Sequence, residues 1–228
     1  MYLNIKLKED LRTLKAGKEY NFDFSDRNWI LIVGNNGCGK STLLNIIRDY
    51  KCDNLDDRTS GDYEAKLGYS SIRGFKDKAE IDTDFEKFYF LSSEFDDPRA
   101  LDNCASAESL LKHGGFQTKR MSNGQRTLAM LSMWLKENEN EWDDKTLLIF
   151  DEADKGMDLK YQVGFMRMLN NLNKKRGVKS LVVSHHSLPL LLADKLYWFE
   201  SRTSVPSQVY LSIMTGYEFT PPKRMEDE

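Results

Sequence analysis

With 228 residues, of which 40% are hydrophobic and 30% charged, the chain is too apolar to stay disordered and long enough to bury one substantial core. Its net charge of -3 excludes the strongly basic footprint of a chain that holds nucleic acid by bulk charge, so direct nucleic-acid contact by this chain alone is not expected. No run approaches the ~20 apolar residues of a membrane-spanning helix, and the N-terminus lacks the apolar core of a signal peptide, so a cytoplasmic location is expected. Cys38, Cys52 and Cys104 have no metal-ligand spacing and read as free thiols.

Tyr20, Phe22 and Phe24 alternate with polar residues, and Trp29 to Val33 is an unbroken apolar run; both predict strands, the second covered on both faces. Beyond Ser41, the positions Leu43, Leu44, Ile46 and Ile47 predict a helix to about Tyr50. The polar stretch from Lys51 to Glu86, with Gly61, Gly68 and Gly74, predicts hairpins or irregular excursions. Phe88 to Leu91 predicts a short strand, and Ser106 to His113 a short helix stopped at Gly114. Ser122 offers an N-cap to a helix reaching about Lys136, with Leu128, Leu131 and Leu135 at helical spacing. Thr146 to Phe150 and Ser180 to Ser184 predict buried strands, joined through a helix from Leu159 to Leu172 in a parallel crossover. A helix near Leu188 to Ala193 follows, then strands near Lys195 to Phe199 and Gln208 to Ile213, and a disordered tail from Pro221.

Between the first buried strand and its helix, Gly34 to Ser41 reads GNNGCGKS and satisfies G-x-x-x-x-G-K-[ST] in the strand-to-helix context that pattern requires. Glycines let the backbone curl so that successive N-H groups and the helix N-terminus surround phosphates; Lys40 then reaches the outer phosphates and the Ser41 hydroxyl ligates Mg2+. ATP and Mg2+ are the expected ligands. Asp151, at the end of an apolar strand, is expected in the Mg2+ shell, and Glu152 beside it is placed to polarise an attacking water. His185 ends a later strand and is the candidate γ-phosphate contact. Met121 to Gln125 opens a helix with free N-H groups and the Ser122 hydroxyl, a second candidate anion site.

Taken in order, GNNGCGKST, MSNGQ, LLIFDE, Asp158 and SHH resemble the ATP-binding-cassette (ABC) ATPases over most of the chain. The resemblance implies one α/β domain over residues 1–228, a P-loop NTPase fold with a mostly parallel central sheet and an N-terminal antiparallel β portion. A short helical lobe over about residues 92–140 would carry the signature. It implies that Asn35, Asn36, Gly37, Cys38, Gly39, Lys40, Ser41 and Thr42 hold one face of the nucleotide. Ser122, Gly124, Gln125 and Asp158 would come from a second subunit of an ATP-dependent homodimer, with Glu152 and His185 catalytic. The family glutamine after Leu91 is missing, which leaves Ser93 or Glu94 as its stand-in at the metal, and no aromatic occupies the usual adenine-stacking position, where Arg12 is the substitute. DEADKGMD resembles the D-E-x-D-x-x-L-D pattern of the chromosome-maintenance and recombination-repair branch more than the DEPT of transporters. The expectation is therefore a stand-alone ATPase whose dimerisation switches a partner protein in DNA maintenance or defence. The alternatives are the nucleotide-binding subunit of a membrane transporter and an ATP sensor with little turnover.

Overall fold

The computed structural model describes residues 1–51, 76–92, 125, 128–129, 132 and 139–217. Two sheets enclose one long helix. In the smaller, β1 (Tyr2–Leu7) lies between β2 (Glu19–Asp23) and β4 (Ala79–Thr83), both antiparallel to it. In the larger, the order is β5 (Lys87–Ser92), β6 (Thr146–Asp151), β7 (Lys179–Val183), β3 (Trp29–Val33), β8 (Lys195–Trp198) and β9 (Thr203–Pro206). All of its pairings are parallel except the β8–β9 hairpin.

The central strands are apolar at consecutive positions because each face meets a different core. Ile30, Ile32, Leu147, Ile149, Leu181 and Val183 pack with α1 (Lys40–Lys51) and the small sheet. Their neighbours Leu31, Leu148, Phe150 and Val182 pack with Phe165, Met166 and Leu169 of α2 (Leu159–Arg176). Two short helices complete the described fold, α3 (Ser187–Leu192) and α4 (Ser207–Thr215).

The expected α/β architecture is present, with four differences in detail, one of them the unanticipated strand β9 at Thr203–Pro206. β1 was not anticipated, although Leu3, Ile5 and Leu7 are buried in strict alternation. β4 lies inside the stretch expected to form hairpins or irregular excursions and pairs with the distant β1; Ala79 and Ile81 are its only buried residues, few apolar positions to announce a strand. Gln208 to Ile213, expected as a strand, is helical: Ser207 and Tyr210 are buried three residues apart while Val209 and Ile213 are both exposed, a 3.6-residue period rather than alternation. The expected helix from Ser106 to His113 and the tail from Pro221 lie outside the described residues.

Candidate functional site

Because β6, β7 and β3 are neighbours, their C-terminal ends lie side by side. In open parallel sheets this edge is where strands hand over to ligand-binding loops. β3 leads into the glycine-rich loop, β6 ends at Asp151 and Glu152 follows, and β7 is followed by Ser184 and His185.

The loop closes around Lys40. Its buried ammonium donates to the carbonyls of Gly34 (2.8 Å) and Asn35 (2.9 Å) and lies 3.8 Å from Cys38 Sγ. Gly37 and Gly39, at φ 78° and 112°, turn the backbone through the left-handed region. Among the described residues, no protein acceptor takes the N-H groups of Asn36, Gly37 or Gly39. These donors sit beside the first turn of α1, so the loop fits a phosphate chain. Thr42, the next helical residue but one, is buried.

Ser41 Oγ donates to Asp151 Oδ1 at 3.2 Å, and Asp151 is only 4% exposed. A hydroxyl and a carboxylate this close suit Mg2+, which commonly takes one or two protein oxygens together with phosphates. Among the described residues there is no group of three or more His, Cys, Asp or Glu that could hold a metal ion.

Glu152 stands at φ 53°, a left-handed conformation that costs a non-glycine residue about 1–2 kcal/mol. Its N-H donates to the Val183 carbonyl at 2.9 Å, which holds the strained turn against the end of β7. Its carboxylate meets His185 Nε2 at 2.9 Å and Lys155 Nζ at 3.4 Å. Backbone strain kept in place by its surroundings at a strand end is a mark of a functional position. Asp158 caps α2, accepting a hydrogen bond from the Tyr161 N-H at 3.2 Å.

Sequence reading did not anticipate two contacts on the loop. Glu200, in the β8–β9 turn, accepts the Asn35 N-H at 2.6 Å from 165 residues away. The turn from Leu11 to Leu14, with Arg12 at φ 54°, packs on Gly39 so closely that an added Cβ there would lie 2.5 Å from Leu14 Cδ2. Neither residue belongs to a motif; only the tertiary fold brings them to the loop. Of the remaining expected residues, Gln125 is helical and exposed, whereas Ser93, Glu94, Ser122 and Gly124 lie outside the described residues.

A phosphate loop at the end of one central strand, with a buried aspartate and a strained glutamate at the end of another, defines a nucleotide-binding P-loop domain. The family model described as ABC transporter matches residues 18–155, and the chain belongs to this family of ABC ATPases. It therefore binds ATP with Mg2+. The chain is 25% identical over 209 residues to an uncharacterized ABC transporter ATP-binding protein, MJ0796, of Methanocaldococcus jannaschii, covering 79% of this chain and 86% of that one. It is also 25% identical over 251 residues to the sn-glycerol-3-phosphate import ATP-binding protein UgpC 2 of Rhizobium johnstonii, covering 98% of this chain and 69% of the relative. A chain from an inward-facing metal-chelate type ABC transporter has a similar fold, with a TM-score of 0.56 and 16% identity, over 95% of this chain and 89% of that chain. No described helix is long and apolar enough to cross a membrane.

Proposed function

We propose that the chain hydrolyses Mg-ATP and that two copies close on the nucleotide, coupling hydrolysis to a partner protein. The observation that carries this reading is the convergence of Lys40, Ser41, Asp151, Glu152 and His185 at three adjacent strand ends. In this mechanism the loop amides and Lys40 bind the phosphates, and Ser41 and Asp151 hold the metal. Bound Mg2+ supplies charge neutralisation across the phosphates. Glu152 takes the proton of the attacking water, and His185 orients both Glu152 and the terminal phosphate. Asn35, Cys38 and Thr42 complete the loop, while Ser122, Gly124, Gln125 and Asp158 act across the subunit boundary.

A membrane-transport partner is the better supported of the two coupling readings, because both relatives carry names of transporter ATP-binding proteins. The chain would then work at the cytoplasmic face of a membrane protein. The stand-alone switch suggested by DEADKGMD has one observation in its favour: Asp154, where transporters carry the threonine of DEPT, is buried and hydrogen-bonded.

The test is the solution mass of Glu152→Gln by light scattering, with and without Mg-ATP, alongside phosphate release by the unmodified chain. Release by the unmodified chain and a nucleotide-dependent doubling of mass in the variant are expected. No release, or a variant that binds ATP and stays monomeric, overturns the homodimeric ATPase. Capture of a membrane permease by the tagged chain supports the transporter reading, and capture of soluble proteins alone opposes it.

A further inference from the structure

One buried group next to the site is not used by this mechanism. Asp154 is 1% exposed and, among the described residues, forms no ion pair with lysine or arginine. A carboxylate in such surroundings is costly to keep, and burial pushes its pKa up. The surroundings offset this with hydrogen bonds. Ser184 Oγ donates to Asp154 Oδ2 at 2.6 Å, the length of a charge-assisted bond. The same Ser184 oxygen accepts the backbone N-H of His186 at 3.0 Å, and His186 Nε2 lies 3.1 Å from the Asp154 carbonyl.

These contacts bracket His185. Ser184 precedes it and His186 follows it, and both are tied to Asp154, so the backbone on either side of His185 is held by one residue of the opposite segment. Glu152, two residues before Asp154, is tied to the same segment through the Val183 carbonyl. The Glu152–His185 contact at 2.9 Å is thus flanked on both sides by bonds between the two segments. His185 is itself 45% exposed, so packing alone does not hold its ring.

We infer that Asp154 is a positioning residue: through the Ser184 hydroxyl and His186 it sets the backbone of His185 so that the imidazole meets Glu152. This rests on the ATPase reading for its functional meaning but not for its geometry. Asp154 touches neither nucleotide nor water in this role.

The test uses the full chain labelled with 15N-histidine, whose three histidines make the ring signals few enough to assign by substitution. Glu152→Gln provides the reference in which the pair has lost its charge. In nucleotide-free protein the His185 ring nitrogens of Asp154→Ala and of Ser184→Ala are expected to shift away from the unmodified position, toward that reference. Asp154→Asn, whose amide oxygen still accepts from Ser184, is expected to stay near the unmodified position. In turnover, Asp154→Ala lowers kcat by about 10- to 100-fold, less than the roughly 100- to 10,000-fold contributed by a positioned acid-base group because His185 is displaced rather than removed, with ATP Kd unchanged, and Asp154→Asn restores most of it. A His185 signal in Asp154→Ala that coincides with the unmodified one overturns the inference. So does a common loss of folding, ATP binding and turnover in Asp154→Ala that Asp154→Asn fails to restore. If the unmodified chain releases no phosphate while the spectra behave as expected, the ATPase reading falls and the positioning role stands.

Discussion

Gly37 and Gly39 are both glycine, but the structure demands it for different reasons. An added Cβ at Gly37 would meet nothing within 4 Å, so only its φ of 78° resists a side chain. At Gly39 the φ of 112° is joined by collision with Leu14 and Thr13. Gly37→Ala is expected to cost about 1–3 kcal/mol from backbone strain, and Gly39→Ala roughly 1–3 kcal/mol more from overpacking; urea denaturation of both variants measures the gap. Equal costs would show that the Leu11–Leu14 turn does not brace the loop. Between them, Cys38 has its thiol pushed up chiefly by burial, with the Lys40 ammonium opposing. Iodoacetamide is therefore expected to label Cys38 slowly at neutral pH and faster as the pH rises through the ordinary thiol range, and Mg-ATP is expected to protect it. Mass spectrometry of the Cys38 peptide reads both effects, and indifference to ATP would place the thiol away from bound nucleotide.

At the scale of elements, β6 connects core packing to chemistry. Its last residue is Asp151, and Phe150 just before it packs edge-on against Phe165 of α2, with ring centroids 5.3 Å apart. Both rings are fully buried. Phe165→Ala is expected to lose about 3–5 kcal/mol of stability, measured by chemical denaturation. A loss below about 1 kcal/mol would mean that the helix collapses onto β6 to fill the cavity. The parallel strands were legible in the sequence because apolar runs of five or six residues need cover on both faces. α4 was not, since its apolar residues Val209, Tyr210, Leu211, Ile213 and Met214 keep to neither period cleanly and the choice between helix and strand depends on what Ser207 and Tyr210 pack against. The strand at Ala79 to Thr83 was hidden because it offers only two apolar positions and is completed by pairing with β1, although the alternation of Leu3, Ile5 and Leu7 in β1 is itself present in the sequence.

At the scale of the whole molecule, several aspartates are held below their ordinary pKa. Asp26 is lowered to about 2 by hydrogen bonds from Arg27 and Lys195, and its contact with Lys195 links the approach to β3 with the start of β8. Asp10 and Asp143 are lowered chiefly by Lys15 and Lys87, and Asp23 by the Ser25 backbone N-H. A depressed folded pKa gives stability that is present above the unfolded value, near 4, and lost as pH falls through the folded value. Thermal melting is therefore expected to hold steady down to about pH 4 and to drop between pH 4 and 2, with a shallower drop in Asp26→Asn. An acid slope unchanged in that variant would show that Asp26 has the same pKa in the folded and unfolded chain, so that this contact adds no acid-sensitive stability.

The sequence by itself determined the class of chemistry. A phosphate loop, a strand-end Asp-Glu pair and a later histidine each depend on local spelling and on the strand or helix next to them, and those are local properties. What only tertiary structure decided was which distant groups share the site. Glu200 on the Asn35 amide, the Leu11–Leu14 turn under Gly39 and the Asp154–Ser184–His186 contacts around His185 all join segments far apart in the chain. Such contacts follow from strand order, and strand order is set by how two cores bury both faces of one sheet, which no short stretch of sequence encodes.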